Sequence, residues 1–254
     1  MRLLLRLLVL PAFLIVLAGT SSARASGTLT WPNPPPAPDG NSAATAAPRL
    51  DWLNRVQYNL DASRKQPKID LIFDGDSITD HWTTVGKDLW EKHYAPLNAF
   101  DFAISGDRTE NVLWRLQNGQ VDGLHPKLVV LMIGTNNLSA NTPEQIAGGI
   151  KADIDEYLKL CPDTTILLEG VFPRAPKADD TARAKIKAIN QTISGFADGK
   201  KVLYIDFGDK FLQPDGTLSP DIMPDFLHPS AKGYQIWVDA IQGEIDQFFP
   251  GAPH

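Results

Sequence analysis

From Leu50 onward the chain alternates between two hydrophobic rhythms. Leu50, Leu53, Val56 and Leu60 recur at helical spacing and stop short of Pro67, which predicts a helix with one apolar face. Ile69 to Phe73 is a short apolar run that enters Asp74-Gly75-Asp76-Ser77. Asp80 to His93 reads as a helix, Leu97 to Ala103 as a strand, and Thr109 to Leu116 as a helix with its N-cap region at Asp107 to Thr109. Leu128 to Ile133 is uninterrupted and apolar, the pattern of a strand covered on both faces. Pro143 suits a first helical turn, and Ile146, Ile150, Ile154 and Leu158 follow it at helical spacing. Thr165 to Leu168 and Val202 to Ile205 read as further strands. Between them Ala182, Ile186, Ile189, Ile193 and Phe196 line a helix, and Trp237, Ile241, Ile245 and Phe248 line the last one. Apolar strands separated by helices predict an α/β domain, a parallel sheet with helices on both sides. Ligands of such sheets bind beyond the carboxyl ends of the strands.

The residues before this pattern read differently. Arg2 and Arg6 precede the apolar run Leu7 to Ala18, and Ala23-Arg24-Ala25 has the form of a signal-peptide cleavage site. Residues 1–25 are therefore expected to be a removable export signal, Ser26 the mature start, and the location secreted or periplasmic. The run is short for a bilayer span, so no stable membrane insertion is expected after cleavage. Residues 26–48 are rich in Pro, Ala, Asn and Ser, lack an apolar period, and are expected to form an extended tether or wrap that buries little. Residues 49–250 form the expected catalytic domain. Overall composition is that of a globular protein, with 43% hydrophobic and 21% charged residues. Removing Arg2, Arg6 and Arg24 with the leader takes the net charge from −6 to −9, and no basic stripe offsets it, so nucleic acid is excluded as a partner. Cys161 is the single cysteine, which rules out an internal disulfide and reads as a buried or half-buried spacer.

Polar clusters end three of the strand-like runs: Gly75-Asp76-Ser77, Ser105-Gly106-Asp107 and Gly134-Thr135-Asn136-Asn137. A fourth, Asp225-Phe226-Leu227-His228-Pro229, lies before the last helix. All four converge on one edge of the expected sheet. Ser77, after a glycine at a strand-to-helix turn, is placed as a nucleophile that needs a base. Asp225 and His228 are three residues apart, so one turn can present a carboxylate-held imidazole to it. The N–H groups of Ser77 and Gly106 and the Asn136 side-chain amide are candidate oxyanion donors. The set is complete for acyl transfer without a metal or cofactor. Each member has a plainer alternative: Ser77 as a helix N-cap, Asn136 closing its own loop, Gly106 serving a tight turn, and Asp225 with His228 as a surface pair.

The four blocks Gly75-Asp76-Ser77-Ile78, Gly106, Gly134-Thr135-Asn136-Asn137 and Asp225-x-x-His228 resemble those of the GDSL, or SGNH, hydrolase superfamily. Within it, Ser105 to Leu116 (SGDRTENVLWRL) and Asp215-Gly216-Thr217-Leu218-Ser219 resemble the catalytic subunits of platelet-activating factor acetylhydrolase and their bacterial relatives. The resemblance runs from about Lys68 to Phe248. It implies a flavodoxin-like three-layer α/β/α sandwich with a five-stranded parallel sheet in order 2-1-3-4-5. It also implies a triad of Ser77, Asp225 and His228, with Ser77, Gly106 and Asn136 forming the oxyanion hole. Two residues depart from the usual pattern. Asp74 stands where an apolar or small residue is usual, and Pro229 replaces a common leucine; either is expected to alter the pocket rim or local pKa values.

The expected activity is that of a secreted serine esterase cleaving short-chain, chiefly acetyl, esters of a carbohydrate or phospholipid-like alcohol. Its partner would be a small-molecule or glycan ester. A lysophospholipase, a thioesterase or an acyltransferase would use the same triad, and a non-catalytic carbohydrate-binding relative would keep the fold. Leu71 to Asp76 also matches the opening of haloacid-dehalogenase-type phosphatases, with Asp74 as nucleophile, Asp76 as acid and Mg²⁺ required. His81, one helical turn after Ser77, is a rival base. His93, His125 and His254 read as exposed or structural. Trp114 and Leu116 are expected to pack on the sheet. Arg108 and Arg174 read as surface salt-bridge partners, with contact to an anionic substrate as the alternative.

Overall fold

The computed structural model describes residues 40–251. The expected export signal, its cleavage site, residues 26–39 and His254 lie outside the described residues. Five parallel strands, β1 (Leu71–Gly75), β2 (Ala99–Asp101), β3 (Leu128–Met132), β4 (Thr165–Glu169) and β5 (Val202–Ile205), form one sheet in the order β2-β1-β3-β4-β5. This is the expected flavodoxin-like order. The helices are α1 (Leu53–Lys65), α2 (Ser77–Asp80), α3 (Lys87–His93), α4 (Thr109–Gln117), α5 (Pro143–Leu160), α6 (Thr181–Ile193) and α7 (Ala231–Phe248). Among the described residues no helix is long and apolar enough to cross a membrane.

Strand alternation assigns each side chain to a layer. Ile72, Val129, Leu131, Ile166 and Leu168 pack with Val112 and Leu116 of α4, Ile150 of α5 and Ile189 of α6. Leu71, Phe73, Leu128, Val130 and Leu167 face the other way, toward Trp82, Tyr94 and the Trp237–Ile241–Ile245 stripe of α7. Both faces are buried, so the strands are apolar throughout rather than alternating. A third cluster joins Val56 and Leu60 of α1 to Leu113 and Trp114 of α4. Of the two expected sheet-facing residues, Leu116 therefore packs in the sheet cluster and Trp114 turns toward α1. β1 lies between β2 and β3, so consecutive connections diverge on its two sides and open a crevice at its carboxyl end.

Two elements differ from expectation. Asp80 to His93 is not one helix: α2 gives way to a tight turn at His81–Thr83, and α3 begins only at Lys87. The break is where Gly86 passes so close to Trp82 that a Cβ would stand 2.6 Å from its ring. The second strand is paired only over Ala99–Asp101, and its start is delayed because Asn98 adopts a left-handed conformation before it (φ 55°). The backbone still tracks β1 beyond that point, through Phe102 N–H to Phe73 (2.9 Å) and Ile104 N–H to Gly75 (3.3 Å). That registration delivers Ser105 and Gly106 level with Ser77.

Residues 41–48 lie across α4 and α5. Ala43 is fully buried. Its carbonyl accepts from Thr109 Oγ1 (2.7 Å), and Asn111 Nδ2 donates to the Ala47 carbonyl (2.9 Å). Small side chains and Gly149, whose Cβ would lie 2.5 Å from the Ala43 carbonyl, allow that approach, so this stretch buries more than its composition implied. Cys161 ends α5 and is buried.

Glu169 is buried on the α7 face of β4, where it accepts a hydrogen bond from Trp237 Nε1 (2.7 Å). Burial pushes its carboxyl up to about 8, against the opposing effect of that hydrogen bond. The folded state therefore holds a proton that the unfolded chain releases near pH 4.5, and the associated stability is lost as pH rises through about 8. Glu169→Gln keeps the acceptor and removes the charge. Its melting temperature should match wild type at pH 5 and exceed it at pH 9, where the gain is on the order of a few kcal/mol. Equal pH dependence in the two proteins would refute this.

Candidate active site

β1 ends at Gly75, where a Cβ would lie 2.2 Å from the Met132 carbonyl, so only glycine passes. Asp76 then caps the short helix α2, its Oδ1 accepting from Ile78 N–H at 3.0 Å. Its second carboxyl oxygen is buried without a hydrogen-bond partner among the described residues, and burial raises the Asp76 pKa to about 7. Ser77 begins α2, so its N–H belongs to the first turn and donates to no residue among those described.

The Ser77 Oγ lies 2.8 Å from His228 Nε2, and His228 Nδ1 lies 2.6 Å from Asp225 Oδ2. Asp225 uses its other oxygen to accept from the N–H groups of Leu227 (3.1 Å) and His228 (2.8 Å). Burial alone would raise the Asp225 pKa; the hydrogen bonds from His228 and Leu227 outweigh it and hold the carboxyl below its ordinary value. This tight turn forces Phe226 into the left-handed region (φ 59°), and its carbonyl accepts from Ala175, itself left-handed (φ 70°), at 2.9 Å. Non-glycine residues in that region cost on the order of 1 kcal/mol or more each, so the turn is held by its contacts and not by local preference. An imidazole held by a carboxylate and bonded to a hydroxyl is the arrangement that activates a weak nucleophile.

The sheet edge brings the other two predicted residues together as well. Gly106 is left-handed (φ 81°) and exposed, with the Arg49 guanidinium 2.9 Å from where a Cβ would stand. Asn136 donates through Nδ2 to the Asp107 carbonyl at 2.9 Å. That bond uses one of its two amide hydrogens and leaves the other to be offered. Both residues line one cleft.

What holds these loops in register was not read from the sequence. Asp74 has the same strand parity as Ile72, so it points into the α4–α5 layer, not to the pocket rim. There it is fully buried and bonds Arg115 Nη2 (2.9 Å), Gln120 Nε2 (2.6 Å) and the Tyr157 hydroxyl. Arg115 Nε also bonds Asp107 Oδ2 (2.9 Å), and Arg49 reaches Asp107 Oδ1 (3.2 Å) and the Ser105 carbonyl (2.6 Å). Asp80 bonds Arg55 (2.7 Å) and the Ser105 hydroxyl (2.6 Å). Asn137 accepts from Thr109 N–H (3.1 Å) and donates to Glu110 (2.8 Å), pinning the start of α4 to the loop after β3. The only sequence sign of this network was Asp74 itself, a carboxylate within an apolar run.

His81 stands beside the site, its ring 5.0 Å from that of His228. Burial and then the neighbouring His228 lower its pKa, and Ser77 bonds His228 rather than His81, so the rival base is set aside. Asp74 and Asp76 are both buried and committed to Arg115 and to a helix cap, which leaves the phosphatase reading without an accessible nucleophile. His93 is buried and His125 exposed. Arg174 bonds Thr135 rather than a carboxylate, and Arg108 stands 3.8 Å from Glu110; only the second is a surface pair of the expected kind.

Residues 73–236 match the model of the GDSL-like lipase/acylhydrolase family. The chain is 36% identical over 184 residues to platelet-activating factor acetylhydrolase IB subunit alpha1 of Rattus norvegicus, covering 72% of this chain and 77% of that one. It is similar in fold to a GDSL-like lipase from Bacteroides thetaiotaomicron (TM-score 0.63, 22% identity, 78% of this chain and 98% of that one). It is also similar to an acetylxylan esterase from Geobacillus stearothermophilus (TM-score 0.54, 20% identity, 71% and 96%).

Arg115→Met would leave the buried Asp74 carboxylate with hydrogen-bond donors but no counter-cation, and one oxygen of Asp107 without its donor. Removing one partner of such a buried network costs about 3–5 kcal/mol, to be read from denaturant melts of the two proteins. A loss below about 1 kcal/mol would show that the guanidinium does not hold the loops.

Proposed function

The chain belongs to the GDSL-like lipase/acylhydrolase family and is a carboxylic ester hydrolase; from that premise we propose that it removes short acyl groups, chiefly acetyl, from a carbohydrate or phospholipid-like alcohol outside the cytoplasm, through an acyl-enzyme on Ser77. The reading is carried by the unbroken hydrogen-bonded line from Asp225 through His228 to Ser77, at 2.6 and 2.8 Å.

In this mechanism His228 Nε2 takes the Ser77 hydroxyl proton as Oγ bonds the ester carbonyl carbon. Positioned proton transfer of this kind contributes roughly 10²–10⁴ in rate. Asp225 keeps the other ring proton on Nδ1 and stabilises the imidazolium. Negative charge collecting on the carbonyl oxygen is met by the Ser77 and Gly106 N–H groups and by the Asn136 amide; one such donor is worth about 2.7–4 kcal/mol. His228 then returns its proton to the leaving alcohol. A water molecule, deprotonated by the same ring, attacks the acyl carbon, and the carboxylic acid departs as Ser77 regains its proton.

The acetyl preference draws on likeness to a relative named as an acetylhydrolase. A fold neighbour named as an acetylxylan esterase makes an acetylated carbohydrate a natural candidate. Export draws on the charged start, the apolar run Leu7 to Ala18 and the small-residue site ending at Ala25.

p-Nitrophenyl acetate should be cleaved with higher kcat/KM than the octanoate; the reverse order would overturn the short-chain assignment. Ser77→Ala should lower kcat by about 10⁴-fold or more and Asp225→Asn by about 10²–10⁴-fold, whereas Cys161→Ser should leave it within about twofold of wild type. Comparable activity in Ser77→Ala would remove the acyl-enzyme. Mass spectrometry of protein recovered after export should find Ser26 as the first residue, and an intact leader would count against the localisation.

A further inference from the structure

The cleft that starts at Gly106 and Asn136 runs to the beginning of α6 and encloses about 630 Å³, a size typical of small-molecule sites. Three cations line it, Arg108, Arg174 and Lys185, against one carboxylate, Asp180. The carboxylate is committed to its helix, where it accepts from Ala182 N–H at 2.8 Å. Two of the cations donate hydrogen bonds only to neutral groups among the described residues, and the one carboxyl that Arg174 feels at a distance, Asp76, is buried outside the cleft. Arg174 Nη1 donates to the Thr135 carbonyl (3.3 Å) and hydroxyl (3.2 Å), and Lys185 Nζ donates to the Leu138 carbonyl (2.9 Å). Arg108 stands 3.8 Å from Glu110, beyond hydrogen-bond distance. A positive hollow is therefore set into a chain of net charge −6, where it concentrates field lines on an approaching anion.

This space is too large and too polar for an acetyl group, which leaves the alcohol as its occupant. The alcohol is hydrophilic, because Thr135, Asn136, Ser139 and Thr181 contribute to the walls and none of the large exposed apolar side chains, Leu50, Tyr58 and Val85, does. We propose that the cleft is the alcohol subsite of the esterase and selects a sugar bearing an anionic group, carboxylate or phosphate, held by Arg108, Arg174 and Lys185. The inference rests on the esterase reading for which part of the substrate enters the cleft, while binding of the anion itself needs no turnover.

Calorimetric titration of the full chain with methyl glucuronide, methyl glucoside 6-phosphate and neutral methyl glucoside tests it. At least one anionic sugar should bind about tenfold tighter than the neutral one, with the margin shrinking as salt is added. Whichever anion shows the margin identifies the group. Arg174→Gln and Lys185→Gln should each cut the anion-to-neutral ratio by about tenfold, the effect of losing one charge-assisted hydrogen bond, and Lys200→Gln, on an exposed turn away from the cleft, should leave the ratio as it is. Equal binding of all three sugars, no binding of either anion, or a ratio that neither cleft variant moves would overturn the proposal. Because the ratio is internal to each protein, a partly unfolded fraction cancels from it. p-Nitrophenyl acetate hydrolysis reports separately on Ser77, so failure of the esterase reading and failure of the cleft assignment are told apart.

Discussion

Arg115 is buried between the sheet and two helices, and its guanidinium joins segments that are otherwise far apart in the chain. One side bonds Asp74, the residue that leads into the Ser77 turn; another bonds Asp107, which follows Gly106 and whose carbonyl accepts from Asn136. A single buried cation thus ties the bases of two loops at the catalytic edge, and Asp107 passes the restraint to a third through its carbonyl. Burial by itself would drive the proton off Arg115, but the two carboxylates more than reverse that. Such a network adds little net stability over a well-packed apolar alternative. What it supplies here is position: loops that the backbone alone leaves free are held against a rigid sheet.

The same edge is held differently on its two sides. On the Gly106 side the restraints are charged, with Arg49, Arg115 and Asp80 gripping Ser105 and Asp107 from separate elements. On the His228 side they are backbone bonds, since Asp225 is half open to solvent (side chain 56% exposed) and an exposed ion pair is weak. Two N–H groups of its own turn fix that carboxylate, and a left-handed Phe226 bonded to a left-handed Ala175 makes the turn possible. Strain is concentrated where the imidazole must be aimed, and buried charge where the oxyanion donors must not drift.

Charge also divides the surface by purpose. The chain as a whole repels anions, yet the hollow that adjoins Gly106 and Asn136 collects three cations, two of which, Arg174 and Lys185, donate hydrogen bonds only to neutral groups among the described residues. Arg174 illustrates why the sequence left this open. A strand-end arginine has the same local neighbours whether it finds a carboxylate or, as here, only the carbonyl and hydroxyl of Thr135.

Hydrophobic periodicity decided the layers, because a strand covered on both faces and a helix covered on one leave different marks in the order of residues. Short polar clusters after the apolar runs, joined by the family resemblance, marked Ser77, Gly106, Asn136, Asp225 and His228, and the fold brings all five to one edge. Boundaries were less legible: the break at Gly86 depends on Tyr234, remote in the chain, packing there beside Trp82, and the late start of β2 on a left-handed Asn98. The role of Asp74 was out of reach in the same way. Its partners Arg115, Gln120 and Tyr157 lie between 41 and 83 residues away. Local order fixes which residues are apolar, polar or turn-forming; only the folded chain decides which charge meets which, since burial and Coulomb energy depend on distance in space and not along the chain.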